Sequence, residues 1–197
     1  MAIGLADSGE GGIPSFQVTN STQSTISATI TVTPSYENNG IICDGNAETF
    51  TITVNPSPEM DNVEDVVLCN NEISSIIEFT TPNTDGNTTY TWTNDNTSIG
   101  LSSTGNGDIP SFTALNLSPI TEVATITVTP TYENNGVVCI GDPQTFSISV
   151  LSEIEITGTT VDALDCNDPN SGNINITVTG GSGVYDFLWS NGAITED

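Results

Sequence analysis

The sequence predicts an all-β protein assembled from tandem β-sandwich modules, and three observations carry that prediction. Apolar and polar residues alternate with period two wherever apolar residues cluster, as in Ala124-Thr125-Ile126-Thr127-Val128 and Phe146-Ser147-Ile148-Ser149-Val150. Alternation over five or more residues sends successive side chains to opposite faces of an extended chain, the pattern of a half-buried strand. Asn-Gly pairs punctuate these stretches, as at Asn39-Gly40 and Asn135-Gly136, and supply the positive φ that a tight hairpin needs. The chain also repeats itself: residues 3–54 align without a gap on residues 99–150, with 29 identities in 52 positions. Helical periodicity is absent.

The repeat offset is 96 residues, the size of one immunoglobulin-like sandwich. Shared blocks include Ile13-Pro14-Ser15-Phe16 with Ile109-Pro110-Ser111-Phe112, and Ala28 to Pro34 with Ala124 to Pro130. Tyr36-Glu37-Asn38-Asn39-Gly40 returns as Tyr132-Glu133-Asn134-Asn135-Gly136. The expected organisation is the C-terminal part of one module over 1–56, a complete module over 57–151, and the N-terminal part of a different module over 152–197. Asn55-Pro56-Ser57-Pro58 forms a short, stiff linker. Within the complete module, Thr89-Tyr90-Thr91-Trp92-Thr93 sets both aromatics on one face, as a core anchor. In the tail, residues 172–181 form a strand ending in a Gly-Gly turn, and residues 184–192 an aromatic strand followed by a second Asn-Gly turn. Too few strands follow to close a third sandwich, so a sheet edge or an apolar face is expected to stay open. Met1 runs straight into the repeat pattern, so it is taken as an expression start in a protein expected to extend at both ends.

Charge narrows the function. The 197 residues hold no Lys, Arg or His against 25 Asp plus Glu, a net charge of −25. An ordinary domain is about a quarter charged, with both signs present. Binding nucleic acid needs basic residues to neutralise phosphate, so it is excluded, as is docking on anionic membrane surfaces. Catalysis through a His base, a Lys nucleophile or an Arg clamp is equally impossible. A carboxylate pair of the glycosidase kind remains conceivable, but nothing singles out two of the 25 acids, and no enzyme is expected. No run of 18 apolar residues occurs, so no membrane insertion is expected. The 35% hydrophobic content at period-two spacing separates the chain from a disordered acidic tail.

Two kinds of candidate site remain. Four cysteines occur, of which Cys43 and Cys139 are equivalent positions in the two copies. Within the complete module Cys69 and Cys139 are the natural disulfide pair, leaving Cys43 and Cys166 with partners outside the chain. Closing a loop of about seventy residues would stabilise the module by roughly 4 kcal/mol and suits an oxidising, extracellular setting. The alternative is four free thiols. No CxxC pair and no His occurs, which argues against zinc. The only cofactor candidate is Ca²⁺, for which Asp165, Asp168 and Asn170, with Asn167 and Asn173, crowd around Gly172. Asn83, Asp85 and Asn87 similarly flank Gly86. Neither stretch has EF-hand spacing, and the plainer reading is that Asn and Asp favour turns by tolerating left-handed φ and capping their own backbone.

At these residues two resemblances enter. The unit over 58–150, with its Tyr-Thr-Trp-Thr-Asn and Ile-Pro-Ser-Phe blocks, resembles the PKD-like domains strung along giant secreted proteins of Bacteroidota. The tail resembles the SprB repeat through Cys166, Gly172, Ile174, Gly180-Gly181 and the run from Tyr185 through Trp189-Ser190-Asn191-Gly192. The resemblance implies a large cell-surface adhesin, exported by the type IX secretion system and moved along the cell in gliding. The chain would then be an extracellular stalk or adhesive segment. Its partners would be neighbouring modules and, at the surface, polysaccharide or a solid substratum. A competing reading makes the modules carbohydrate-binding accessories of a secreted polysaccharide-degrading enzyme. That reading needs an exposed aromatic platform, whereas Trp92 and Trp189, the only tryptophans, both lie in alternating patterns that suggest core packing.

Overall fold

A computed structural model describes residues 3–161, 173–181 and 183–195, and strands dominate it. The first copy of the repeat supplies β1 (Ile26–Val32), β2 (Ser35–Asn38), β3 (Ile41–Asp44) and β4 (Glu48–Val54). The second copy, taken together with the residues that lead into it from Val66, supplies β5 (Val66–Cys69), β6 (Asn87–Asn94), β7 (Thr104–Asn106), β8 (Glu122–Asn134), β9 (Val137–Ile140) and β10 (Gln144–Leu151). β11 (Glu155–Val161) and β12 (Asn173–Thr179) belong to the tail, and a single 3-10 turn spans Thr97–Ile99.

Six strands of the second copy join in one sheet in the order β5-β10-β8-β6-β7, with β9 paired to the end of β8. β10 lies antiparallel to β8 and parallel to β5. Extended segments bridged at Ile73–Thr113 and Ile77–Ile109 accompany the sheet. The alternation seen in sequence is realised on the sheet: β8 buries Ala124, Ile126, Val128, Pro130 and Tyr132, every second residue of its length. β10 buries Phe146, Ile148 and Val150, and β6 buries Tyr90, Trp92 and Asn94. Burying Asn94 is tolerable because its amide donates to the carbonyls of Leu101 (3.1 Å) and Ser102 (3.2 Å).

The first copy keeps the register of the second, shifted by the repeat offset. Ala28 pairs Ile52 and Ile30 pairs Phe50, as Ala124 pairs Ile148 and Ile126 pairs Phe146. The hairpins match as well, with Tyr36 opposite Cys43 and Tyr132 opposite Cys139. Each turns through an Asn-Gly pair in the left-handed region, at φ 52° and 81° for Asn39-Gly40 and 51° and 77° for Asn135-Gly136. Burial differs sharply. Val32, Tyr36 and Phe50 are 46%, 68% and 45% exposed, whereas their counterparts Val128, Tyr132 and Phe146 are 0%, 0% and 6% exposed.

In the tail, β11 and β12 form an antiparallel pair, and Gly180-Gly181, both at positive φ, turn the chain beyond it. The aromatic strand expected over 184–192 does not form. Those residues have no strand neighbour among the described residues, and an extended segment becomes a strand only by pairing. Instead Trp189 N donates to Ala193 O (3.0 Å) and Gly192 N to Trp189 O (2.9 Å), closing a turn at the Asn-Gly pair.

The chain divides into two compact units that cut across the sequence period. One comprises Met1–Asp61, Phe79–Thr91 and Thr129–Pro143, and its buried residues include Ile30, Val54, Phe79, Tyr90 and Tyr132. The other comprises Asn62–Glu78, Trp92–Val128 and Gln144–Asp197, with Trp92, Ile99, Ile109, Ile126 and Ile148 in its core.

Candidate functional sites at the joint, the cysteines and the acidic turns

Where the first copy meets the hairpin of the second, within one compact unit, a set of uncharged groups forms a joint. Asn20 shapes it from the first copy, accepting from Thr22 N (2.9 Å) while its amide donates to Ser24 O (2.8 Å) and Val54 O (3.0 Å). The loop so fixed presents Gln23 and Thr25. Gln23 O accepts from Thr84 N (2.8 Å), and Thr25 Oγ1 accepts from Asn134 Nδ2 (2.9 Å). Tyr132 Oη donates to Thr84 O (2.8 Å), and its ring crosses Gly86, where a Cβ would fall 2.4 Å from Cζ. The linker is held too: Asn83 accepts from Glu59 N (2.7 Å) and donates to Ser57 O (3.0 Å), and Pro56 and Pro58 are buried. A chain without Lys, Arg or His has no side-chain ion pairs to use here. Neutral hydrogen bonds, worth about 1 kcal/mol each, take their place.

The second copy carries the same loop. Asn116 accepts from Ser118 N and donates to Ile120 O and Val150 O, all at 2.8 Å, matching the bonds of Asn20. With Asn70 and Glu153 to Glu155, residues 116–119 border an open cleft of about 530 Å³. Neither loop was visible as a joint in sequence, although an Asn retained at both 20 and 116 was a usable signal.

The cysteines correct an expectation. Cys43, Cys69 and Cys139 are free thiols, so the Cys69–Cys139 bridge is not formed. Cys69 is in register with Leu151 at the last residue of β10, while Cys139 sits in the hairpin that prolongs β8 past Gln144, the first residue of β10. Sequence separation alone cannot reveal that a parallel strand, rather than a hairpin, carries the first of these cysteines. Cys166 lies outside the described residues, as do the Ca²⁺ candidates Asp165, Asp168 and Asn170 with Asn167. Among the described residues no group of three or more Cys, Asp or Glu is arranged to hold a metal. At the second acidic stretch Asn83 is engaged with backbone, and Asp85 takes a left-handed φ of 66°, the turn role already suggested by its type.

Carboxylates here also act as backbone acceptors. Asp65 accepts from Ser147 N and Asp95 from Thr125 N, each at 2.7 Å. The Ser147 amide, followed by its hydroxyl, holds the Asp65 carboxyl below the usual carboxylate range. Trp92 is buried, with its ring against Gly105, and Trp189 is half-buried with its indole N–H donating to Thr195 O (2.6 Å). Trp92 therefore offers no open platform of the kind that sugar stacking needs.

Residues 157–194 match the SprB repeat family. The matched span takes in most of β11, all of β12, the Gly-Gly turn and the run from Tyr185 to Trp189. The SprB repeat points to a surface, adhesin-like repeat protein, and its first strand continues from β10 after only Ser152, Glu153 and Ile154. Inside it, Tyr185 Oη donates to Gly180 O, tying the aromatic run back to the glycine turn. A Cβ on Gly180 would fall 1.9 Å from Glu153 O, so that glycine permits a close backbone approach at the base of the SprB repeat. A search of curated proteins finds no match to the chain. Among the described residues no helix is long and apolar enough to cross a membrane.

Proposed function

We propose that the chain is a non-catalytic stretch of a large secreted cell-surface adhesin, a stalk segment that transmits force during gliding motility. The SprB repeat following directly on a duplicated β unit is the observation that carries this reading. Repetition gives reach, and the hydrogen-bonded joint at Thr25, Thr84 and Asn134 supports a chain of modules that resists bending. A charge of −25 keeps modules soluble and apart, over about 8 Å at physiological salt. The absence of Lys and Arg also removes every trypsin-like cleavage site from an extracellular surface. Its partners on this reading are neighbouring modules and the polysaccharide or solid surface over which the cell moves.

Serum raised against the chain tests the proposal on the bacterium that encodes it. Intact cells should be labelled, and serum-treated cells should lose attachment or movement on a solid surface. Labelling that appears only after lysis would contradict it.

A further inference from the structure

At the repeat offset, Ser21, Gln23 and Ser24 of the first copy stand where the second has Leu117, Pro119 and Ile120. The backbone frame is the same, because Asn20 and Asn116 hold the two loops by matching bonds. In the first copy the space between this loop and the linker is occupied. Thr84 N donates to Gln23 O (2.8 Å), and Asn83 donates to Ser57 O (3.0 Å) and accepts from Glu59 N (2.7 Å). Pro58 is buried there. In the second copy the corresponding space, between the loop and Glu153-Ile154-Glu155, is an open cleft of about 530 Å³. Ile154, the counterpart of Pro58, is 58% exposed, and Leu117 is 97% exposed.

We infer that this cleft is a docking site for a short segment of a different protein, one that carries Lys or Arg among aliphatic residues. The filled groove of the first copy shows what the frame does: it receives a turn of polypeptide. The lining of the second decides the chemistry of the occupant. Three polar residues have given way to apolar ones, and two carboxylates, Glu153 and Glu155, flank Ile154. Aliphatic side chains would cover Leu117, Pro119 and Ile154 and take their surface out of water, while a cation would sit beside the glutamates. The chain cannot supply that cation, since it holds no Lys, Arg or His, and a second copy would bring further carboxylates against these two. A cleft of this size takes a few side chains and not a folded domain. The inference does not depend on the adhesin reading.

Binding of the fluorescein-labelled peptide Leu-Lys-Leu-Lys-Leu, followed by anisotropy in physiological salt, tests the inference. The chain should bind it with a Kd below about 1 mM. Glu153→Gln with Glu155→Gln should weaken binding at least about tenfold. Glu37→Gln with Glu48→Gln, which removes the same charge from the first copy, should change it less than about twofold. Leu117→Ser, which installs the residue of the first copy, should also weaken binding at least about tenfold. Each substituted side chain is exposed, so the fold is kept. No binding at millimolar peptide, or an unaltered affinity of Leu117→Ser, would overturn the inference. Equal losses from the two glutamate pairs would do so as well, by reducing the attraction to the general charge of the chain. Self-association of the chain that Leu117→Ser abolishes would also overturn it, by giving the cleft to a second copy.

Discussion

Val32 and Val128 end the same Ala-Thr-Ile-Thr-Val run, on strands paired in the same register, yet one faces solvent and the other is sealed. The contrast separates two layers of folding information. Pairing of β1 with β4 and the Asn-Gly hairpins are local, and both copies achieve them. Burial is non-local: Tyr132, for one, is covered by the turn from Thr84 to Gly86, and β8 has β6 as well as β10 beside it where β1 has β4 alone. The same amino acids therefore carry different energies in the two places, and substitutions at equivalent positions measure the difference.

The largest effect is expected at the aromatic pair. Phe146→Ala should cost about 3–5 kcal/mol by chemical denaturation, the usual range for a buried ring. Phe50→Ala should cost a small fraction of that, and equal costs would break the comparison. Asn116→Ala and Asn20→Ala sharpen it from the opposite side, since both amides make the same two bonds to backbone carbonyls. Each should cost roughly 1–3 kcal/mol, with Asn116 the larger because it is buried. Next comes the hydroxyl: Tyr132→Phe should lose about 1 kcal/mol with its bond to Thr84 O, and Tyr36→Phe nothing measurable.

The smallest expected effect is pH-dependent and confined to the second copy. Because the Ser147 amide depresses the Asp65 pKa in the folded state, its contribution is fully present above the unfolded carboxylate range, near pH 4. It fades as pH falls through the lower folded value. The stability difference between the parent chain and Asp65→Asn should thus be flat above about pH 5 and shrink below it. A difference that grew on acidification would refute the assignment.

Most of the fold was legible in the sequence because its signals are local. Period-two alternation located β1, β4, β6, β8 and β10, and the Asn-Gly pairs located both hairpins. What the sequence hid was partnership. β5 joins β10 in parallel, a pairing that no hairpin signal announces. The run from Val184 to Trp189 alternates like a strand but pairs with no strand among the described residues. At the joint, Gln23 and Thr25 are ordinary turn residues, and only folding brings them into reach of Thr84 and Asn134. The SprB repeat was legible because its glycines and aromatics sit close together in the chain.

Amide hydrogen exchange by NMR tests the contrast between the copies most directly. Residues 28–34 and 124–130 have identical sequence, Ala-Thr-Ile-Thr-Val-Thr-Pro, so from Thr29 and Thr125 onward their intrinsic exchange rates match and only structure can separate them. β1 has a neighbour on one side and β8 on both, so alternate amides of Ala28 to Val32 should exchange almost freely while all those of Ala124 to Val128 are slow. Equal protection along the two strands would show that the first copy is covered after all.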